Sequence, residues 1–288
     1  MPKYTSIMKL KDKNSNSNSS IFSTKNPIVM GILNLTTDSF FDGGKYINEK
    51  QIISKCKSML DEGATIIDIG AQSSRPGATQ ISATDELKKL LPIIKLLKNN
   101  FPSIIISIDT FWAKTAHETI EAGAGIINDI SAGEMDKNMF KVIAKHNTPY
   151  IIMHMQGTPQ NMQKNPTYNN IVNEVVDYFD NKIKELKKLN ISTIIIDPGF
   201  GFGKTIEHNY QLLNNLDAFK YLKCPILTGT SRKSMIYKIL DTTADNALNG
   251  TSITNTMALL NGANILRVHD VKKAIECIKI TTFAKNNC

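Results

Sequence analysis

The stretch TIIIDPGFGFGK, residues 193–204, sets the pattern for the chain. A short β-branched run, Ile194-Ile195-Ile196, ends at an acid, Asp197. A glycine-rich loop follows, Pro198-Gly199-Phe200-Gly201-Phe202-Gly203-Lys204. The run is apolar without alternation, as expected of a parallel strand buried on both faces. The loop is not a Walker A loop, because only three residues separate Gly199 from Gly203-Lys204 where four are required. It is not a dinucleotide fingerprint either, because neither position 204 nor 206 is a glycine. Its Phe-Gly alternation suggests a flat wall for an aromatic ring.

The same unit recurs on both sides. Apolar runs at 28–33, 65–69, 103–108, 125–127, 149–153, 193–196, 225–228 and 264–268 alternate with stretches of helical periodicity, among them 49–62, 83–99, 171–189 and 271–283. Eight strand–helix units in about 250 residues predict a single-domain α/β (β/α)₈ TIM barrel spanning residues 26–284. A doubly wound open sheet is the alternative. The barrel predicts that function sits in the loops after the strands.

Those loops differ from the plain turns that precede strands. They carry Asn34 to Gly44, Asp68 with Ser74-Arg75-Pro76, Asp109, Asn128-Asp129, His154, the 197–204 loop, Ser231-Arg232-Lys233-Ser234 and Arg267-Val268-His269. A lone Asp after a strand is ordinarily a helix cap or turn former, and Asp129 is read as a cap or wall residue. Caps alone do not explain why every arginine of the chain, Arg75, Arg232 and Arg267, falls on this one face. Asp68, Asp109, Asn128 and Asp197 form a set of short acceptors suited to a ligand edge rich in N–H donors. Arg75, Lys233, Arg267 and His269 form a cationic set suited to phosphate or carboxylate.

Charge narrows the partners. The chain of 288 residues has a net charge of +8, but residues 1–25 carry five Lys and one Asp, and residues 272–288 carry four Lys and one Glu. The remainder is nearly balanced, so the basic pI does not point to nucleic acid. Residues 1–25, with their Asn/Ser run, read as a flexible leader without the apolar segment of a secretory signal. No apolar run is long enough to span a membrane, and the scattered Cys56, Cys224, Cys277 and Cys288 suggest a reduced, cytoplasmic compartment. Metal-ligand spacing is lacking: His117, His146 and His208 lie on helical stretches and read as surface residues. A Mg²⁺ site at Asn34, with Asp38 or Asp42 nearby, stays open because a substrate phosphate can supply most ligands.

The blocks MGILNLTTDSFFDGG (30–44), DIGAQSSRPGA (68–78), SIDTF (107–111), IINDISAG (126–133), PYIIMHMQGTPQNMQ (149–163), DPGFGFGK (197–204), GTSRKS (229–234) and ILRVHD (265–270) together resemble the dihydropteroate synthase family, in order and spacing. The resemblance implies condensation of a hydroxymethyl-dihydropterin diphosphate with 4-aminobenzoate, with Mg²⁺, in a cytoplasmic homodimer formed through the last helices. It implies that Asp109, Asn128 and Asp197 hold the pterin edge, with Met153, Gly201 and Phe202 along its faces and Lys233 opposite. It implies that Asn34, Asp68, Arg267 and His269 serve the diphosphate, with Mg²⁺ on Asn34, and that Asp42 helps close the first loop over the reacting centre. It implies a 4-aminobenzoate site from Phe40, Ser74, Arg75, Pro76 and the helix start at Ser234. Catalysis would then rest on Asn34, Asp42, Lys233, Arg267 and His269. The family's Pro is Thr37 here, and its Gly-Glu-Ser-Thr-Arg-Pro is Ala71-Gln72-Ser73-Ser74-Arg75-Pro76. These departures are expected to alter aminobenzoate and sulfonamide affinity without abolishing activity. The rivals are a pterin-dependent methyltransferase, which would lack the Ser-Arg-Lys-Ser and Arg-Val-His-Asp cations, and a non-catalytic pterin-binding paralogue, which would have lost loop residues.

Overall fold

The computed structural model describes residues 21–22, 26–35, 45–72 and 80–287, with the side chains of 45–48 left aside. Eight strands are β1 Ile28–Asn34, β2 Ile66–Gly70, β3 Ile105–Asp109, β4 Ile126–Asp129, β5 Tyr150–Met153, β6 Ile194–Asp197, β7 Leu227–Thr228 and β8 Ile265–Val268. All pair in parallel, in the order β6-β5-β4-β3-β2-β1-β8-β7. A parallel bridge between Ile196 and Ile226 joins the two ends, so the sheet closes on itself as a (β/α)₈ barrel. β7 is shorter than its apolar run because Pro225 has no N–H for the ladder; its carbonyl accepts from Ile196 N at 3.0 Å instead.

The outer helices are α1 Lys45–Asp61, α2 Ala83–Asn100, α3 Ala113–Glu121, α4 Met139–His146, α5 Ile171–Lys188, α6 Ile206–Asn214, α7 Ser234–Tyr237, α8 Leu248–Leu260 and α9 Val271–Asn286. Their apolar stripes cover the outward strand residues. α2 starts where Ser82 accepts a hydrogen bond from Asp85 N at 3.1 Å. It tolerates Pro92 in its interior because that residue is on the exposed face, where water can satisfy the freed carbonyl.

The barrel interior is layered. Met30, Ile66, Ile105, Ile126, Ile151, Ile195, Leu227 and Ile265 form an apolar floor, one from each strand. Phe22 plugs it from below and is only 7% exposed, with Ile21 beside it. The segment read as a leader therefore includes at least two residues that belong to the barrel's underside, drawn there by the apolar area they bury. One pleat higher the interior turns polar, and that change positions the site.

Candidate active site

Side chains alternate across each strand, so the residue two after each floor position points inward at the C-terminal end. On β2, β3, β4, β6 and β8 these are Asp68, Ser107, Asn128, Asp197 and Arg267. Register sets Asp68 beside Ser107 and Asp109 beside Asn128. Arg267 donates from Nε to Asp68 Oδ2 at 2.7 Å and from Nη2 to Asp109 Oδ2 at 2.8 Å. Asn128 Nδ2 donates to the same Asp68 oxygen at 3.2 Å. Asp68 is fully buried beneath Arg267, so its influence on a ligand runs through that guanidinium. Its Oδ1 and Ser107 Oγ are buried with no hydrogen-bond partner among the described residues. The acceptor and cation sets, separate in the sequence, thus interlock at Arg267.

Asp109 is pushed above the ordinary carboxylate range by burial, with Arg267 opposing and the charge of Asp68 adding to the rise. Asp197 is also raised by burial, against Lys233 and a hydrogen bond from Gly199 N at 2.8 Å. Lys233 Nζ donates to Phe200 O at 2.6 Å and lies 4.8 Å from the centre of the Phe202 ring. Burial brings its amine down to about 8, with Asp197 holding it up. His269 sits against Ser231 Oγ at 3.0 Å, and burial followed by the nearby Arg267 depresses it to about 4. The sequence reading counted His269 among the cations. That shift favours the uncharged imidazole, which can donate one hydrogen bond to an anion.

The loop after β6 is shaped by its glycines. Gly199 has φ +75°, and a Cβ there would collide with the backbone oxygen of His154. Gly201, at φ +80°, would press a Cβ against Lys233 Cδ at 3.3 Å. The bare backbone lets this loop lie on the β5 loop and lets Lys233 cross it. Phe202 packs with Met153 in a small apolar cluster with Phe111 and Ile130, beside the acceptors. Lys204 Nζ, which the sequence reading left without a role, is buried and reaches His154 Nδ1 at 3.0 Å, His154 O at 3.2 Å and Phe202 O at 3.0 Å. Burial lowers its amine to about 7. It ties the β5 and β6 loops and fixes the backbone that presents Phe202. Ser107 was also missed; a polar residue breaking the apolar run of β3 on its inward parity was the available signal.

Asn34 stands at the exposed end of β1. Ser234 opens α7, a single turn, so the dipole at its start is weaker than a longer helix would give. Phe40, Asp42, Ser74, Arg75 and Pro76, with Thr37 and Asp38, lie outside the described residues. Arg232 engages in bidentate recognition, but of the protein's own Asp270, at 2.9 and 3.0 Å. It also donates to the carbonyls of Ala244 and Asp245, so its place on the rim is structural. Asp129 is the wall residue expected: it points outward and accepts from Ser131 N, Ser131 Oγ, Gly133 N and Tyr150 Oη. His117 and His146 depart from the reading as separate surface residues, because α3 and α4 bring them together.

The profile of the family described as "Pterin binding enzyme" matches residues 30–269. The dihydropteroate synthase of Haemophilus influenzae is 41% identical over 256 residues, 88% of this chain and 92% of the relative. That of Escherichia coli is 39% identical over 266 residues, 91% of this chain and 94% of the relative. Among solved structures, the Yersinia pestis dihydropteroate synthase in complex with a sulfonamide drug superposes with TM-score 0.86 at 38% identity, over 92% of this chain and 96% of that one. The Xanthomonas albilineans enzyme with 4-aminobenzoic acid gives TM-score 0.84 at 33% identity, over 91% of this chain and 94% of that one.

Proposed function

This chain belongs to the pterin-binding enzyme family, among the dihydropteroate synthases, and on that premise we infer how its rim condenses hydroxymethyl-dihydropterin diphosphate with 4-aminobenzoate in folate biosynthesis. The observation that carries the assignment of roles is the change of the barrel interior from an apolar floor to a closed polar set around Arg267. Three inward acceptors, on β3, β4 and β6, suit a flat, donor-rich heterocycle. One arginine, one lysine and one imidazole beside them suit an anionic leaving group.

Asp109, Asn128 and Asp197 receive the amino-pyrimidine edge of the pterin. Met153, Gly201 and Phe202 flank its faces, and Lys233 approaches from the loop after β7. Arg267 and His269 hold the diphosphate, with Asp68 orienting the guanidinium from below and Asn34 at the edge. Phe40, Ser74, Arg75, Pro76 and Ser234 form the aminobenzoate site, which is also where a sulfonamide would compete. Asp42, outside the described residues, is assigned to the reacting centre by the family resemblance.

The reaction breaks the bond between the exocyclic methylene and the diphosphate oxygen. It forms a bond from that carbon to the aminobenzoate nitrogen, which then releases a proton. The electron-rich pterin ring supports positive charge on the methylene as the leaving group departs, so the weakly basic aniline needs no strong general base. Arg267 stabilises the charge that grows on the diphosphate, and His269 donates to it. Asn34, a hard amide oxygen at an exposed strand end, would hold Mg²⁺, whose remaining ligands would come from water and diphosphate. When bound, the ion neutralises part of the diphosphate charge.

The exposed Ile253 and Leu260 on α8, and Ile280 and Phe283 on α9, support a homodimer through the last helices. No helix of the described residues is long and apolar enough to cross a membrane. Cys56, Cys224 and Cys277 are unpaired, which supports a reducing, cytoplasmic setting.

The test is a turnover assay scoring diphosphate. Release that requires both 4-aminobenzoate and Mg²⁺ and yields dihydropteroate in equal amount supports the reading. Release without aminobenzoate would make the chain a hydrolase instead.

A further inference from the structure

On the outer wall of the barrel, away from the rim, α3 and α4 bring together three side chains that the condensation does not use. His117 and Glu121 are four residues apart on α3 and so share one helical face. His146 is the last residue of α4, and Asn147, in the left-handed conformation at φ 48°, ends the helix directly behind it. His117 Nδ1 and His146 Nε2 are 2.8 Å apart, and His146 Nδ1 lies 3.5 Å from Glu121 Oε1. One ligand atom from each of the three residues falls within 4.8 Å of the other two. The histidines are half-buried while Glu121 is exposed and free to turn.

From this arrangement we propose that His117, Glu121 and His146 form a site for a late first-row divalent metal such as Zn²⁺, tying α3 to α4, with its remaining coordination open to water. Two imidazoles and a carboxylate suit Zn²⁺ or Co²⁺ and disfavour Mg²⁺. With metal–nitrogen bonds of about 2.0–2.1 Å, two imidazole nitrogens on a tetrahedral ion stand about 3.3 Å apart. The two nitrogens must therefore part by about half an ångström from 2.8 Å, and the rings, which point almost straight at each other with centroids 5.0 Å apart, must tilt so that both lone pairs converge on the ion, with the proton between them moving to an outer nitrogen. Both histidines are carried on helices, which hold the two nitrogens close together. The nearest cation that opposes the ion is Lys145, whose charge already acts on His146. The site is independent of the condensation reaction, and neither supports the other.

The experiment uses the full chain, without an affinity tag containing histidine, in excess Mg²⁺. Titration with CoCl₂ should give visible bands of a low-coordinate cobalt centre at one ion per chain. Zn²⁺ at about 100 times its dissociation constant should raise Tm by roughly 5 °C. His117→Gln and His146→Gln should each weaken binding by more than the 10–100-fold typical of losing an outer-shell partner, about that much being expected for Glu121→Gln. Diphosphate release by these variants should stay unchanged. Anomalous diffraction from wild-type crystals soaked in ZnCl₂ gives a second measurement that needs no variant, with a peak expected between the two rings. A wild-type chain with no cobalt bands and no Tm shift at millimolar metal, or an anomalous peak elsewhere, overturns the proposal.

Discussion

Replacing Arg267 with Met keeps much of the side chain's length and removes its charge. Arg267 makes charged hydrogen bonds to Asp68 at 2.7 Å and to Asp109 at 2.8 Å. Its side chain is only 19% exposed, and those of the partners are 0% and 17% exposed, so solvent screens little. Two charged hydrogen bonds at about 1.5–3 kcal/mol each suggest a loss of ~3–6 kcal/mol. That agrees with the ~3–5 kcal/mol typical of breaking a buried pair by removing one partner. At roughly 2–4 °C per kcal/mol, the ~3–5 kcal/mol range lowers Tm by about 6–20 °C. The loss should depend on pH with a defined sign. Asp109 is already raised by burial with Arg267 opposing, so without Arg267 it rises further. A carboxyl raised in the folded state binds its proton more tightly there than in the unfolded chain, and the stability it contributes disappears as pH rises through the folded value. The deficit of Arg267→Met should therefore be smaller at pH 5 than at pH 8, measured by urea unfolding at both. Diphosphate release should fall on the order of 10²–10³-fold. A deficit under about 1 kcal/mol, or one that grows as pH falls, would refute the idea that the arginine neutralises two buried carboxylates.

Further outcomes follow from neighbouring groups. Pterin diphosphate affinity should weaken as pH rises through about 8, where Lys233 loses its proton, and Lys233→Arg should carry that limb beyond pH 10; an unchanged profile would count against a cationic role. Gly199→Ala places a side chain at φ +75° against the His154 carbonyl, so Tm should drop by the equivalent of ~1–3 kcal/mol or more, and the KM for pterin should rise as the β6 loop shifts. Asp129→Asn should lower Tm, since it weakens hydrogen bonds to Ser131, Gly133 and Tyr150, yet leave kcat/KM of the remaining folded enzyme within about twofold; Asp109→Asn should do the reverse, with activity lost well before stability. Lys204→Met should raise the KM for pterin more than it lowers kcat, because it frees the Phe202 carbonyl without touching the leaving group.

The fold was legible because its signal is local. Each strand is a short apolar run closed by a polar residue, and the observed bounds shift by one or two residues at most ends. β7 shrinks at Pro225 for lack of an N–H, which was also readable. The acceptor residues were legible because they break those runs at their C-terminal ends. What was hidden depends on partners from distant strands. Asp68 and Arg267 are 199 positions apart in the chain, and only the pairing of β1 with both β2 and β8 brings them together. The lowered basicity of His269 comes from burial beside Arg267, which no local pattern records. Arg232 looks like Arg267 in the sequence, yet Asp270 occupies its fork. Asp109 and Asp129 both follow apolar runs; strand parity separates them, since Asn128 takes the inward position on β4. The cluster of His117 and His146 needs two helices packed side by side, and only the spacing of His117 and Glu121 was visible beforehand.

We propose that Asp109, Asn128 and Asp197 read the pterin edge, that Lys233 meets the ring from the other side, and that Arg267 and His269 hold the diphosphate. A crystal structure of the chain with the pterin diphosphate and Mg²⁺, in the absence of aminobenzoate, tests it most directly. The amino-pyrimidine edge is expected within hydrogen-bond reach of the three acceptors, and the diphosphate against Arg267 and His269 at the end of β8. A pterin bound with its edge turned toward Arg267, or a diphosphate held away from β8, would contradict it.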